Sequence, residues 1–256
     1  MQPNCFLRSL ATLLMVFGIS APAIGQSGGE AEFNAGAQAY ADGDKEAAVA
    51  AWEEAAAEGN VGAAWVLGNI YEVGDGVAQS DGEAVHYYRL AAEAGHPGAQ
   101  TRLGLYNKYG SDNADLERND EKALEWFEAA ALQRYAEAQY QLALMYREGR
   151  GVTASPSESR RWLLLAANKR HVPSLLTLSE IYFDGLGVEP DPAKGWMYLT
   201  LANNHVDPTY AVAVNEMTQK YANWTREFRQ QDARAEGEQM AAQWEREQTN
   251  PAPPAN

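Results

Sequence analysis

Cysteine is almost absent from this chain: Cys5 is the only one among 256 residues. A disulfide within one molecule is therefore excluded, and stability has to come from packing. Basic charge is scarce as well. The 20 lysines and arginines face 35 aspartates and glutamates, a formal charge of −15 with a pI near 4.7, which repels phosphate backbones and anionic lipid headgroups and excludes nucleic acid as a partner. Long apolar runs are missing: the stretch from Leu10 to Ile19 covers about half of the roughly 20 residues that a membrane-spanning helix needs. No Gly-x-Ser-x-Gly nucleophile elbow occurs, and glycine pairs such as Gly74-x-Gly76 lack the Lys and Ser/Thr that complete a phosphate-binding loop. Carboxylates such as Glu53-Glu54 and Glu117 to Glu128 are spread along helical stretches as solvated faces. No catalytic group, cofactor or metal site is expected, and the chain is not read as an enzyme.

What is present begins with Arg8, the apolar run, and the small residues Ser20 to Gly25, the three-part layout of a secretory signal peptide. Residues 1–25 are expected to be removed, Cys5 with them. The mature protein would then be periplasmic or secreted, with no integral membrane segment. Residues 26–32 read as a flexible linker and 249–256, rich in proline and alanine, as a disordered tail. Over the whole chain, 46% apolar content with 21% charge is enough for a folded core.

The chain aligns with itself in four blocks: Ala63-x3-Leu67-Gly68, Ala99-x3-Leu103-Gly104, Ala138-x3-Leu142-Ala143 and Ser174-x3-Leu178-Ser179. The leucines are 36, 39 and 36 residues apart, and a glycine follows each by seven. Three of these glycines open a Gly-x-Gly-Val loop at Gly74, Gly149 and Gly185, while the second block carries Gly110-Ser-Asp-Asn113 and a three-residue insertion. After each loop come aromatics on a helical face (Tyr87/Tyr88, Trp126/Phe127, Trp162, Trp196/Tyr198) and then alanines (Ala91-Ala92, Ala130-Ala131, Ala166-Ala167, Ala202). Each block thus reads as helix A, a glycine loop and helix B, with an aromatic filling the gap left by a small residue on its neighbour. One such pair cannot bury its own apolar face, so neighbours must stack.

These residues, with Tyr71, Tyr146 and Tyr182 four after the leucines, resemble the Sel1-like repeats, relatives of the tetratricopeptide repeats with a longer A-to-B loop. The resemblance implies an all-α fold, an α/α solenoid whose stacked helix pairs form a superhelix. Residues 33–60 look like a shorter tetratricopeptide-type pair, 61–206 like four Sel1-like repeats and 207–248 like capping helices. Met217, Tyr221, Trp224 and Phe228 form one stripe of that cap.

In related repeat families the A helices line a concave face. Carried onto this chain, its positions are Trp65, Asn69 and Glu72; Thr101, Leu105 and Lys108; Tyr140, Leu144 and Arg147; Leu176, Glu180 and Phe183. Half are large and apolar, where a solvated face would carry Glu, Lys and Gln. Two readings stand: a groove for a protein or peptide with Trp65, Tyr140 and Phe183 as anchors worth roughly 2 kcal/mol or more each, or ordinary packing between repeats and under the terminal helices. His96 and His171 hold one repeat position, too far apart to share a metal, and read as junction residues. His86 reads as solvent-facing. For function, the resemblance implies an exported scaffold or adaptor in a regulatory or envelope-assembly role. The alternative is a protein that binds cell-wall fragments or β-lactams with weak hydrolase activity, although such relatives are rich in disulfides.

Overall fold

The computed structural model describes residues 28–227 and 230–249. The signal-peptide reading, Cys5, Phe228 and the residues after 249 lie outside them. The described residues form twelve α-helices and one 3-10 turn, with a single isolated bridge, Ser111 to Leu116, in place of any strand. The fold is all-α, of the α/α solenoid class.

Packing divides the chain after Ala130 into two units. The first holds α1 (Glu30–Ala41) against α2 (Lys45–Ala57), then α3 (Val61–Val73) against α4 (Asp81–Glu93), then α5 (Pro97–Tyr109) and most of α6 (Asp120–Leu132). The second pairs α7 (Ala136–Glu148) with α8 (Pro156–Ala167) and α9 (Val172–Asp184) with α10 (Pro192–Asn204), and closes with α11 (Ala211–Glu227) and α12 (Gln231–Thr249). The first helix opens at Glu30, inside the stretch read as linker.

Local chemistry sets these boundaries. Ser80 and Ser155 accept from the backbone N–H of Glu83 and Glu158 at 3.2 and 3.3 Å, while Asn119 and Asp191 accept from Lys122 and Lys194 at 2.8 and 3.0 Å. Every B helix of the four repeats therefore starts on a side-chain cap. The A helices α3, α7 and α9 end on Gly74, Gly149 and Gly185, each left-handed, a conformation open to glycine at little cost. The loop then closes with the same bond each time: Ser80, Ser155 and Asp191 donate backbone N–H to the carbonyls of Tyr71, Tyr146 and Tyr182 at 2.8–2.9 Å. In the second repeat the insertion makes the 3-10 turn Asp112–Ala114, tied to α4 by Ser111 Oγ donating to Asp81 at 2.7 Å.

The B-to-A junctions carry a less expected feature. Gly59 and Gly95 sit there at φ 88° and 92°, but the corresponding residues of the next two junctions, Arg134 and Arg170, hold φ 65° and 59°. A residue with a Cβ in that region is disfavoured by roughly 1 kcal/mol or more.

Two clusters form the core, one in each unit. In the first, Ala63, Leu67, Ile70, Tyr88, Ala91 and Leu103 are buried together. In the second, Leu163, Leu175, Leu178, Leu199, Leu201 and Tyr221 are. Burial of such side chains contributes about 1.5–3 kcal/mol each. In the first unit the α1–α2 pair is tied to the first repeat loop by Asp75, which accepts from Tyr40 at 2.6 Å and pairs with Lys45. Burial, and then this bond to a carboxylate, raise the Tyr40 phenol to about 12. In the second unit α12 lies so close on α10 that a methyl on Gly237 would stand 2.5 Å from the Ala193 carbonyl and from Trp196 Cβ.

Candidate partner-binding surface

In the first unit the positions read on the A helices α3 and α5 are Trp65, Asn69, Glu72, Thr101, Leu105 and Lys108. Trp65 is half-buried, because the next junction reaches back onto it: the His96 ring stacks on the indole at 4.8 Å and 27° between planes. His96 also caps α5, Nδ1 accepting from the Ala99 N–H at 3.2 Å. Burial pulls its pKa down from 6.5 to about 4, which keeps the ring neutral and Nδ1 free to accept. Asn69 is held by a bond from its amide to the Trp65 carbonyl at 2.6 Å. Glu72 accepts from the Tyr88 hydroxyl at 2.7 Å and faces Arg102 at 3.4 Å, so this carboxylate serves the helix pair first. Burial, followed by the charge of Glu72, pushes the Tyr88 phenol up. Leu105 is half-buried and open to a partner.

The second unit repeats the arrangement on α7. Tyr140 meets His171 of the following junction at 5.2 Å, and His171 is fixed by Glu137 at 3.0 Å and Ser174 at 2.9 Å. Burial raises the Tyr140 phenol. Leu144 and Glu180 are half-buried and Arg147 is exposed beside Glu148 at 3.8 Å.

Four residues read as groove positions are interior instead. Lys108 is 2% exposed, its ammonium 5.4 Å from the Tyr109 ring centre. Leu176 is 9% exposed and Phe183 3%. The Phe183 ring stacks on Tyr221 of α11 at 3.8 Å and 10°, with Trp196 and Trp224 edge-on at 5.6 and 5.9 Å. Helix α11 has taken the place that a partner would occupy, so Phe183 is a core residue and not an anchor. Thr101 is likewise buried, donating to the Pro97 carbonyl. The surface that remains open comprises Trp65, Asn69, Glu72 and Leu105 in one unit and Tyr140, Leu144, Arg147 and Glu180 in the other. It is mixed apolar and charged. His86 is exposed on α4.

Sequence reasoning assigned His96 and His171 to junctions but did not foresee that both pack on the aromatic two residues before the preceding repeat's leucine. The signal was present as a coincidence of positions: where a histidine starts an A helix, the preceding repeat carries Trp or Tyr at that place. Among the described residues no three His, Cys, Asp or Glu side chains gather as a metal-ligand set, and no helix is long and apolar enough to cross a membrane.

Comparison with known proteins matches the Sel1 repeat profile to residues 61–96, 97–135, 136–171 and 174–205. An exopolysaccharide production negative regulator of Rhizobium leguminosarum bv. viciae is 36% identical over 140 residues, 50% of this chain and 52% of the relative. A protein of the same description from Rhizobium meliloti is 34% identical over 147 residues, 53% of this chain and 55% of the relative. The chain thus spans about half the length of the curated relatives it matches. Among solved structures, a protective antigen of uropathogenic Escherichia coli strains with an SLR fold aligns at a TM-score of 0.70 and 26% identity, over 90% of this chain and 50% of the other.

Proposed function

This chain belongs to the Sel1 repeat family, and from that premise we propose that it is a non-enzymatic regulatory scaffold which holds a protein or peptide on its A-helix surfaces. One observation carries the reading: both aromatics of the open surface, Trp65 and Tyr140, are braced by the histidine of the following junction, at 4.8 and 5.2 Å. A rigid, half-exposed aromatic loses little side-chain entropy when a partner covers it, which is why such residues dominate interface energetics. Leu105 and Leu144 add apolar area beside them, and Glu72, Arg147 and Glu180 supply a charged rim. That two relatives are named as negative regulators of exopolysaccharide production supports a regulatory role, exerted here by sequestering or positioning a partner protein. The signal-like segment at residues 1–25 supports placing the scaffold in the periplasm or outside the cell.

A photoreactive residue at Leu144, with a control at His86, tests the binding surface in living cells. A protein captured from Leu144 and not from His86, and no longer captured when Tyr140 is replaced by Ala, is the expected result. Equal capture from both positions, or none, would leave the surface without a partner. Fractionation of the same cells tests export, which requires a product shortened at its N-terminus outside the cytoplasm.

A further inference from the structure

The charge of this acidic chain reverses locally. Residues 132–171 hold seven arginines and lysines against three glutamates, while the chain as a whole carries −15. In the second unit three of these cations line a cleft of about 460 Å³ framed by the end of α6, the start of α7 and α8 with the residues that follow it. Arg134, Arg161 and Lys169 line it. Arg161 is engaged, with Glu158 at 3.1 Å and with the Trp162 ring at 5.5 Å. Arg134 and Lys169 form no ion pair with a described residue. Arg134, like Arg170 at the next junction, holds a left-handed backbone where earlier junctions use glycine.

Two polar atoms at the cleft lack a partner. Gln139 is 3% exposed; its amide nitrogen donates to the Ala131 carbonyl at 3.2 Å, but its Oε1 accepts nothing, and Trp162 Nε1 is a buried donor with no acceptor. Buried polar atoms are rarely left so without a reason. We propose that this cleft binds an anionic sugar, a mono- or disaccharide bearing a carboxylate or a phosphate. The two free cations call for negative charge. A bare carboxylate has no hydrogen to give Gln139 Oε1 and inorganic phosphate has no apolar face to set against Leu165, whereas a sugar has both: its hydroxyl donates to Gln139 and accepts from Trp162 once a side-chain shift uncovers these atoms. The C–H face of a pyranose fits against Leu165, which is exposed at the rim. The volume suits one or two sugar rings and not an extended peptide. None of the residues that line the site belongs to the open A-helix surface, and the proposal does not rest on the scaffold reading.

Calorimetry on the full chain tests the proposal with glucuronate, glucose 6-phosphate, glucose, acetate, inorganic phosphate and an acidic peptide. Saturable binding of glucuronate, glucose 6-phosphate or both is expected, with the other four at least about tenfold weaker. Which of the two binds assigns the acidic group. Arg134→Gly, which installs the residue already used at Gly59 and Gly95, should fold normally and weaken binding about tenfold. Lys169→Ala should do the same, and Arg89→Ala, on the first unit, should change nothing. The proposal is overturned if neither anionic sugar saturates, if acetate, phosphate or the peptide binds as tightly, or if Arg134→Gly binds like the unaltered chain.

Discussion

Gly68 on α3 meets the ring of Tyr88 on α4 so closely that a methyl in place of its hydrogen would stand 2.4 Å from Cδ1 and 2.5 Å from Cε1. The next repeat has the same fit, Gly104 against Phe127 at 2.5 Å. At the corresponding positions of the third and fourth repeats the small residue has grown to Ala143 and Ser179, and the aromatic has shrunk to Leu163 and Leu199, all four buried. Volume lost on one side of the helix pair is gained on the other, as a close-packed interior requires.

Gly68→Ala should therefore destabilise the protein by about 2 kcal/mol, since Tyr88 is fully buried and its ring has nowhere to retreat. Adding Tyr88→Leu reproduces the Ala143–Leu163 combination and should recover part of that loss, less the bond from the Tyr88 hydroxyl to Glu72. Denaturant unfolding of both single variants and the double variant reads the coupling. Simple additivity would show that the two residues do not compensate.

This trade explains how much was legible in the sequence. The Leu-Gly pairs, the glycine loops and the aromatic-then-alanine endings are enforced by contacts inside one helix pair, so they recur and can be read from a single chain. Phe183 was misread because its place in the repeat matches that of Glu72 or Arg147 while its surroundings do not: the array ends there, and Tyr221 and Trp224 of α11 cover it. Arg134 and Arg170 were opaque for another reason. Positive φ announces itself in sequence through glycine, and an arginine forced into that conformation carries no sign of it.

His96 links stability to acidity. Its folded pKa, about 4, lies below the 6.5 of the unfolded chain, so between these values the unfolded chain binds more protons. Stability from this group is complete above about pH 6.5, falls as pH drops from there toward about 4 and levels off below. The loss is on the order of 2 kcal/mol after allowance for partial exposure. His96→Asn keeps a cap of the kind Asn60 provides to Ala63 at 3.0 Å and removes the titration. It should be less stable at pH 7 for want of the Trp65 stack, with a flatter profile between pH 6.5 and 4. An unchanged profile in urea titrations across that range would assign the pH dependence to other groups.

Arg134→Gly and Arg170→Gly should each stabilise the fold by roughly 0.5 kcal/mol. Relief of the left-handed strain outweighs the greater freedom of glycine in the unfolded chain. In a protein of this size that amounts to a rise of about 1–2 °C in Tm. A fall in Tm for Arg134→Gly would mean that the side chain contributes packing beyond its backbone strain.

The open surface and the core beneath the terminal helices separate by their response to truncation. Phe183→Ala removes a ring stacked on Tyr221 and flanked by two tryptophans, and should cost about 3–5 kcal/mol. Leu144→Ala removes a half-buried side chain and should cost about 1 kcal/mol or less. If the A-helix surface holds a partner, the order reverses in the cell: at a temperature where both variants remain folded, Leu144→Ala loses the captured partner and Phe183→Ala keeps it. Because α11 already occupies the face of Phe183, only a partner that displaces that helix would be sensitive to Phe183. Partner loss in Phe183→Ala with α11 still protected in hydrogen exchange would place the binding site on the last repeat after all.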